Sequence, residues 1–93
     1  MITRFVKLTV KESEIDTFKN IFEENQNVIM SSEGCFHAEL LQDVSNPCVF
    51  FTFSKWESVD HLNLYRQSEV FGEIWKRSKK TFSSSAEAWS LST

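Results

Sequence analysis

Phe50-Phe51-Thr52-Phe53 places three phenylalanines within four consecutive residues. In an extended strand neighbouring side chains point to opposite faces, so a strand with one wet face alternates apolar and polar residues. Here both faces are apolar, the pattern of a sheet covered on both sides. The rest of the 93-residue chain offers only enough helix to cover one of them. The other face calls for a second cover, and a second copy of the same chain is the simplest one. The stretch therefore predicts a sheet with helices on one side and a homodimer contact on the other.

Working outward, residues 2–10 alternate as a first strand: Ile2, Val6, Leu8 and Val10 share one face, Thr3, Lys7 and Thr9 the other, and Arg4 and Phe5 break the pattern. Ser13, with Asp16 three residues later, reads as a capping box. Ile15, Phe18, Ile21, Phe22, Val28 and Ile29 then follow a 3.6-residue period, an amphipathic helix over about 14–31 closed by Gly34. Cys35–Gln42 and Cys48–Trp56 read as the arms of a hairpin turning at Asp43-Val44-Ser45-Asn46-Pro47. Pro47 stands just before the second arm, where a missing N–H does least harm. Ser58 caps a short helix presenting Val59, Leu62 and Tyr65. Ser68 caps another, with Val70, Phe71, Ile74, Trp75 and Phe82 inward. Ala86, Ala88 and Ser90 alternate with Glu87, Trp89 and Leu91 in a last strand. The order is β-α-β-β-α-β, an α+β, ferredoxin-like arrangement with a four-stranded antiparallel sheet. Two such sheets meeting face to face form a dimeric α+β barrel.

Length and composition bound the function classes. Residues 1–93 make one domain, with 41% hydrophobic and 25% charged residues, ordinary for a globular chain. The net charge of −3 and the scattering of Lys76, Arg77, Lys79 and Lys80 among helical core positions argue against nucleic acid as a partner. No apolar run approaches the ~20 residues that span a bilayer, and polar Thr3, Arg4 and Lys7 do not make a signal peptide, so the chain reads as cytoplasmic. With a turn centred near Ser45, Cys48 faces Gln42 and Cys35 faces Lys55, leaving the thiols roughly 20 Å apart at ~3.3 Å per residue. A bridge needs Cα atoms within about 7 Å, so both read as free thiols.

No nucleophile elbow, phosphate loop, metal-ligand spacing or dinucleotide fingerprint occurs, and two glycines cannot build a glycine-rich cofactor loop. Chemistry then falls to side chains lining a pocket between sheet and helices. His37 and Glu39 project from one face of the second strand, either as a general base with its carboxylate or as a polar pair lining the dimer barrel. Trp56, at the end of the third strand, either roofs a pocket or seals the core. Tyr65 and Trp75 project from the two C-terminal helices: a phenol can hydrogen-bond a substrate oxygen and an indole can stack on a flat ring, or both belong to the core. Arg66 and Lys79 read as solvated, and His61 as exposed.

Glu33-Gly34-Cys35-Phe36 with Glu39-Leu40, the turn from Asp43 to Pro47, Trp56-Glu57-Ser58, Ser68-Glu69-Val70-Phe71 and Ala86-Glu87-Ala88-Trp89-Ser90 stand in a definite order and spacing. Together these segments resemble the antibiotic biosynthesis monooxygenase family of dimeric α+β barrel proteins. The resemblance implies an oxygenase that needs no flavin, haem or metal, whose quinol- or phenol-type substrate activates dioxygen once deprotonated in an apolar pocket. The haem-degrading branch of the same fold uses a histidine, a tryptophan and an asparagine at places that fall here on Trp75, Tyr65 and near Val6, so haem degradation is not implied. The oxygenase branch often carries histidines where this chain has Tyr65 and Val70, and a glutamate where it has Ser54.

The expectation is a homodimeric, cofactor-independent monooxygenase acting on a small aromatic or quinol-type molecule. Tyr65 would orient a substrate oxygen, Trp56, Phe71 and Trp75 would wall the ring, and His37 would be the reserve base. The alternatives are a binding dimer without turnover and an isomerase or decarboxylase on the same scaffold.

Overall fold

The computed structural model describes all 93 residues. Its elements run β1 (Ile2–Thr9), α1 (Ile15–Met30), β2 (Cys35–Gln42), β3 (Val49–Trp56), α2 (Val59–Arg66), α3 (Glu69–Lys79) and β4 (Glu87–Ser92). The four strands form one antiparallel sheet in the order β2-β3-β1-β4, the ferredoxin-like topology. β3 is an interior strand, paired on both sides.

Phe50 and Trp56 point from β3 toward the helices and are 0% and 1% exposed. Around Phe50 gather Leu8, Val10 and Phe18, with Trp75 and Phe82 against them. Farther along α1, Phe22 and Ile29 pack over Ala38 of β2. Phe51 and Phe53 point the opposite way. In register across the sheet, Glu39, Phe53, Phe5 and Trp89 form one row of this outer face, and Leu41, Phe51, Lys7 and Glu87 the next. The Phe5 and Phe53 rings lie 5.1 Å apart, and Trp89, Leu91 and Leu41 are each exposed by more than two-fifths. No helix of the chain reaches this face. The two breaks in the β1 pattern thus have opposite destinations: Phe5 joins the outer face, and Arg4 turns toward the helices beside Val6 and Leu8.

Ser58 and Ser68 cap α2 and α3, accepting from the backbone N–H groups of His61 and Phe71. Other local expectations are corrected. Ser13 caps nothing: Glu12–Glu14 form a 3-10 turn, and α1 begins at Ile15 without a side-chain cap. Gly34 lies beyond the α1 C-cap, which is Ser31, in the turn that leads into β2. Val28, Val59 and Val70 lie on exposed sides of their helices. Phe82 stands beyond the end of α3 and reaches the core from an isolated bridge to Val10.

The hairpin register also differs from expectation, since Gln42 faces Phe50 and Cys35 faces Trp56. The turn is displaced because the Asp43 carboxylate accepts from the N–H groups of Ser45 and Asn46, and the Asn46 side chain from that of Cys48. These local bonds hold Cys48 in the turn and start β3 at Val49. At the other end a bulge between Cys35 and His37 absorbs Phe36. Both thiols are free.

Gly34 has φ +79°, and a Cβ there would come within 2.4 Å of the His61 ring. Gly34→Ala therefore combines a left-handed backbone with a steric conflict and should cost more than about 1 kcal/mol. The expected result is a lower urea midpoint at unchanged slope; an unchanged midpoint would contradict the placement of His61.

Candidate active site

The inner face of the sheet is bulky at one end and small at the other. Phe50 and Leu8 fill the space beneath α1, whereas Ala38, Thr52, Ser54, Ala88 and Ser90 carry short side chains. Helices resting on the bulky end cannot close over the short one. A cavity of about 330 Å³ results, at the lower end of the ~300–1,000 Å³ typical of small-molecule sites. Leu62, Tyr65, Phe71, Ile74 and Trp75 form its helical side, and Trp56 stands where β3 gives way to α2.

The wall is a continuous run of aromatic contacts. Trp56 stacks on Tyr65 at 5.0 Å, Tyr65 meets the edge of Phe71 at 5.3 Å, and Phe71 stacks on Trp75 at 5.8 Å. Trp75 continues edge-on to Phe82 at 5.5 Å. Helical spacing accounts for the run: Phe71 and Trp75 are four residues apart on one side of α3, and Tyr65 is held near the α2–α3 junction by Ser68, whose hydroxyl donates to the Tyr65 carbonyl at 2.6 Å. The Trp56 indole N–H donates to Ser54 Oγ at 2.9 Å, which fixes the plane of the ring at the head of the run.

Polar groups are few. Burial pushes the Tyr65 phenol up to about 12, with the nearby Cys35 thiol adding to the effect. Tyr65 is thus a hydrogen-bond donor at neutral pH and not a base. Every fully buried side-chain polar atom has a partner; the Tyr65 hydroxyl has none in the protein and is therefore accessible. Burial also pushes the Cys35 thiol up. Two cations complete the lining: Arg4 on β1, whose Nη1 donates to Ser90 Oγ at 2.8 Å, and Arg66 at the end of α2. Burial, then the positive charge of Arg66, lowers the Arg4 pKa from its ordinary value.

Of the residues singled out in the sequence, Trp56, Tyr65, Phe71 and Trp75 converge on this cavity. His37 does not. The bulge at Phe36 reverses the parity of β2, so that Cys35 shares the inner face with Trp56 while His37 and Glu39 face outward. There His37 Nε2 lies 3.5 Å from Glu39 Oε1, and its ring meets Phe53 edge-on at 6.0 Å. It belongs to the outer face and is not a base for the cavity. His61, expected to be exposed, is half-buried against Gly34, with Nδ1 2.7 Å from Ser58 Oγ and Nε2 3.7 Å from Glu57 Oε2. Lys79 is exposed, as expected. Arg66, exposed as expected, also reaches the cavity lining, and Arg4 is the residue missed. Arg4 shares its parity with Val6 and Leu8, the signal that could have placed it. No group of three His, Cys, Asp or Glu side chains converges as a metal site.

The family model for antibiotic biosynthesis monooxygenases matches residues 1–77. The chain belongs to that family. Among solved structures, a conserved protein of Methanosarcina mazei Go1 superposes with TM-score 0.91 at 22% identity, over 98% of this chain and 91% of that one. A Nitrosomonas europaea protein, provisionally described as an antibiotic biosynthesis monooxygenase, superposes with TM-score 0.93 at 13% identity, over 100% and 98%. A conserved Bacteroides thetaiotaomicron protein of unknown function gives 0.85 at 16% identity, over 97% and 96%. At such identities the likeness establishes the fold. No protein of curated function matches by sequence.

Tyr65 is the sole tyrosine, so its titration can be followed without interference. A phenol raised from 10.0 to about 12 binds its proton more tightly in the folded state. Its contribution to stability is complete below pH 10 and is lost as pH rises toward 12. Ultraviolet titration of the native protein should show a phenolate midpoint near 12, and Tyr65→Phe should remove that part of the alkaline destabilisation. A midpoint near 10 would contradict the burial described.

Proposed function

We propose that the chain is a homodimeric, cofactor-independent monooxygenase acting on a small hydroxyaromatic, quinol-type molecule. The observation that carries this reading is the cavity itself, walled on one side by Trp56, Tyr65, Phe71 and Trp75 and given a phenolic donor by Tyr65. Family membership supports the reaction class. A flat ring lies against the aromatic wall, Tyr65 donates to one ring oxygen, and the short side chains of the floor leave room for dioxygen. The reaction balances without another reductant: a phenol with a free para position and O2 give a p-quinone and water. One oxygen atom enters the ring, the other leaves as water, and the electrons come from the substrate.

The homodimer joins two outer sheet faces. Phe5, Phe51, Phe53, Trp89 and Leu91 would be withdrawn from water there, a contiguous apolar surface of the kind that marks an interface. Beyond this the chain has no helix long and apolar enough to cross a membrane.

A second reading, a dimer that binds an aromatic molecule without turnover, draws on one observation: no His, Asp, Glu or Lys lines the cavity. The same observation weighs against an isomerase or decarboxylase that moves protons through a side-chain base.

Oxygen uptake over a panel of phenols and polyphenols with a free para position tests the proposal. Uptake above the autoxidation blank is expected, reduced about tenfold in Tyr65→Phe, equivalent to ~1.4 kcal/mol of transition-state stabilisation. Uptake equal to the blank across the panel, with the Tm still raised by one of the aromatics, would select the binding reading.

A further inference from the structure

We infer that Ser78 is a ligand-binding residue of the cavity: its hydroxyl takes an oxygen substituent at the end of the aromatic wall remote from Tyr65, so the ligand is a flat molecule of two fused rings oxygenated at both ends. This rests on the preceding reading only for the hydroxyaromatic nature of the ligand.

Ser78 stands in the last turn of α3, three and four residues beyond Trp75 and Ile74 and seven beyond Phe71, so all four share one side of the helix. It is 5% exposed and lines the cavity. Alanine is the ordinary small residue for such a place, because burying a hydroxyl without a partner is unfavourable. A helical serine usually avoids that cost by bonding the carbonyl four residues back or by facing water. Ser78 does neither. Its carbonyl accepts from the Thr81 hydroxyl at 2.6 Å, but its own hydroxyl has no partner in the protein. The other small hydroxyls nearby are occupied or more open: Ser58 and Ser68 serve as caps, Ser54 accepts from Trp56, and Thr52 is only half-buried. Every fully enclosed side-chain polar atom has a partner, so the unpartnered Ser78 oxygen opens onto the cavity.

The Tyr65 hydroxyl is likewise free, at the other end of the wall. Tyr65 meets the edge of Phe71, and Ser78 lies two helical turns past Phe71, about 10 Å along the axis at ~1.5 Å per residue. A single ring whose oxygen is bonded to Tyr65 falls short of Ser78. A second fused ring, lying against Trp75, spans the difference and brings its own oxygen to the serine. Carried on that second ring, the oxygen also leaves the position para to the first one free, as the proposed reaction requires.

Isothermal titration calorimetry of 1-naphthol and naphthalene-1,6-diol under argon tests the inference without turnover. The diol should bind about threefold to tenfold more tightly than the mono-ol, the net worth of one neutral hydrogen bond. Ser78→Ala should erase that gap and leave the affinity for 1-naphthol unchanged. Because the hydroxyl bonds nothing in the free protein, the Tm of Ser78→Ala should equal or exceed that of the wild type, so the variant folds. A gap that persists in Ser78→Ala would mean that the hydroxyl serves water only and would overturn the inference. So would a lowered Tm, which would show the hydroxyl to be bonded within the protein, or the absence of either the gap or all binding in the wild type. The outcome separates from oxygen uptake: a Ser78-dependent gap without uptake leaves the binding site and removes the oxygenase, and uptake without the gap does the reverse.

Discussion

The apolar character of both faces of β3 is the constraint on which the rest of the structure depends. Its even-numbered residues Phe50 and Trp56 anchor the helical layer, and its odd-numbered Phe51 and Phe53 are left to an outer face that no helix covers. A short chain with one helical layer cannot bury both faces of such a strand unaided. The flanking strands repeat the arrangement. Phe5 of β1 and Trp89 of β4 continue the outer row in register with Phe53, while Val6 and Ala88 continue the inner row with Thr52. A one-residue slip of any strand would exchange these two populations, so the apolar pattern fixes register as well as layering.

The cavity follows from the uneven inner face. Large residues at the Phe50 end hold α1 and α3 off the sheet, and the small residues at the Ser54 end do not fill the gap. Aromatic side chains at helical spacing line the gap from above, and hydrogen bonds from Ser68 and Trp56 fix where they stand. Inside, polarity is restricted to hydroxyls and two guanidinium groups. A site of this composition moves no proton through a carboxylate or imidazole of its own. It offers a flat aromatic wall, a phenolic hydrogen-bond donor and two guanidinium groups.

The fold was legible because its signals are local and repeated. Alternation marks β1 and β4, a 3.6-residue period marks α1, and Ser58 and Ser68 cap the helices that follow them. The aromatic wall was legible for the same reason. What escaped depends on one-residue events without a periodic signature. The bulge at Phe36 puts Cys35 on the inner face, and the register of Glu39 with Phe53 puts His37, whose face the sequence left open, on the outer one. The Asp43 and Asn46 side chains displace the hairpin turn by local hydrogen bonds. Arg4 looks like an interruption of an apolar pattern, and only its parity with Val6 and Leu8 shows that the interruption falls inside the cavity. Arg66 ends an amphipathic helix on its polar side, where nothing in its neighbours distinguishes a cavity rim from open water.

The central claim is that a second copy of the chain closes the outer sheet face, and small-angle scattering on the purified protein at micromolar concentration tests it most directly. The radius of gyration of one chain is 12.7 Å. Closure of the face predicts a clearly larger radius, with a forward-scattering mass of two chains that persists on dilution. A radius near 12.7 Å with the mass of one chain would contradict it, leaving Phe5, Phe53 and Trp89 facing water.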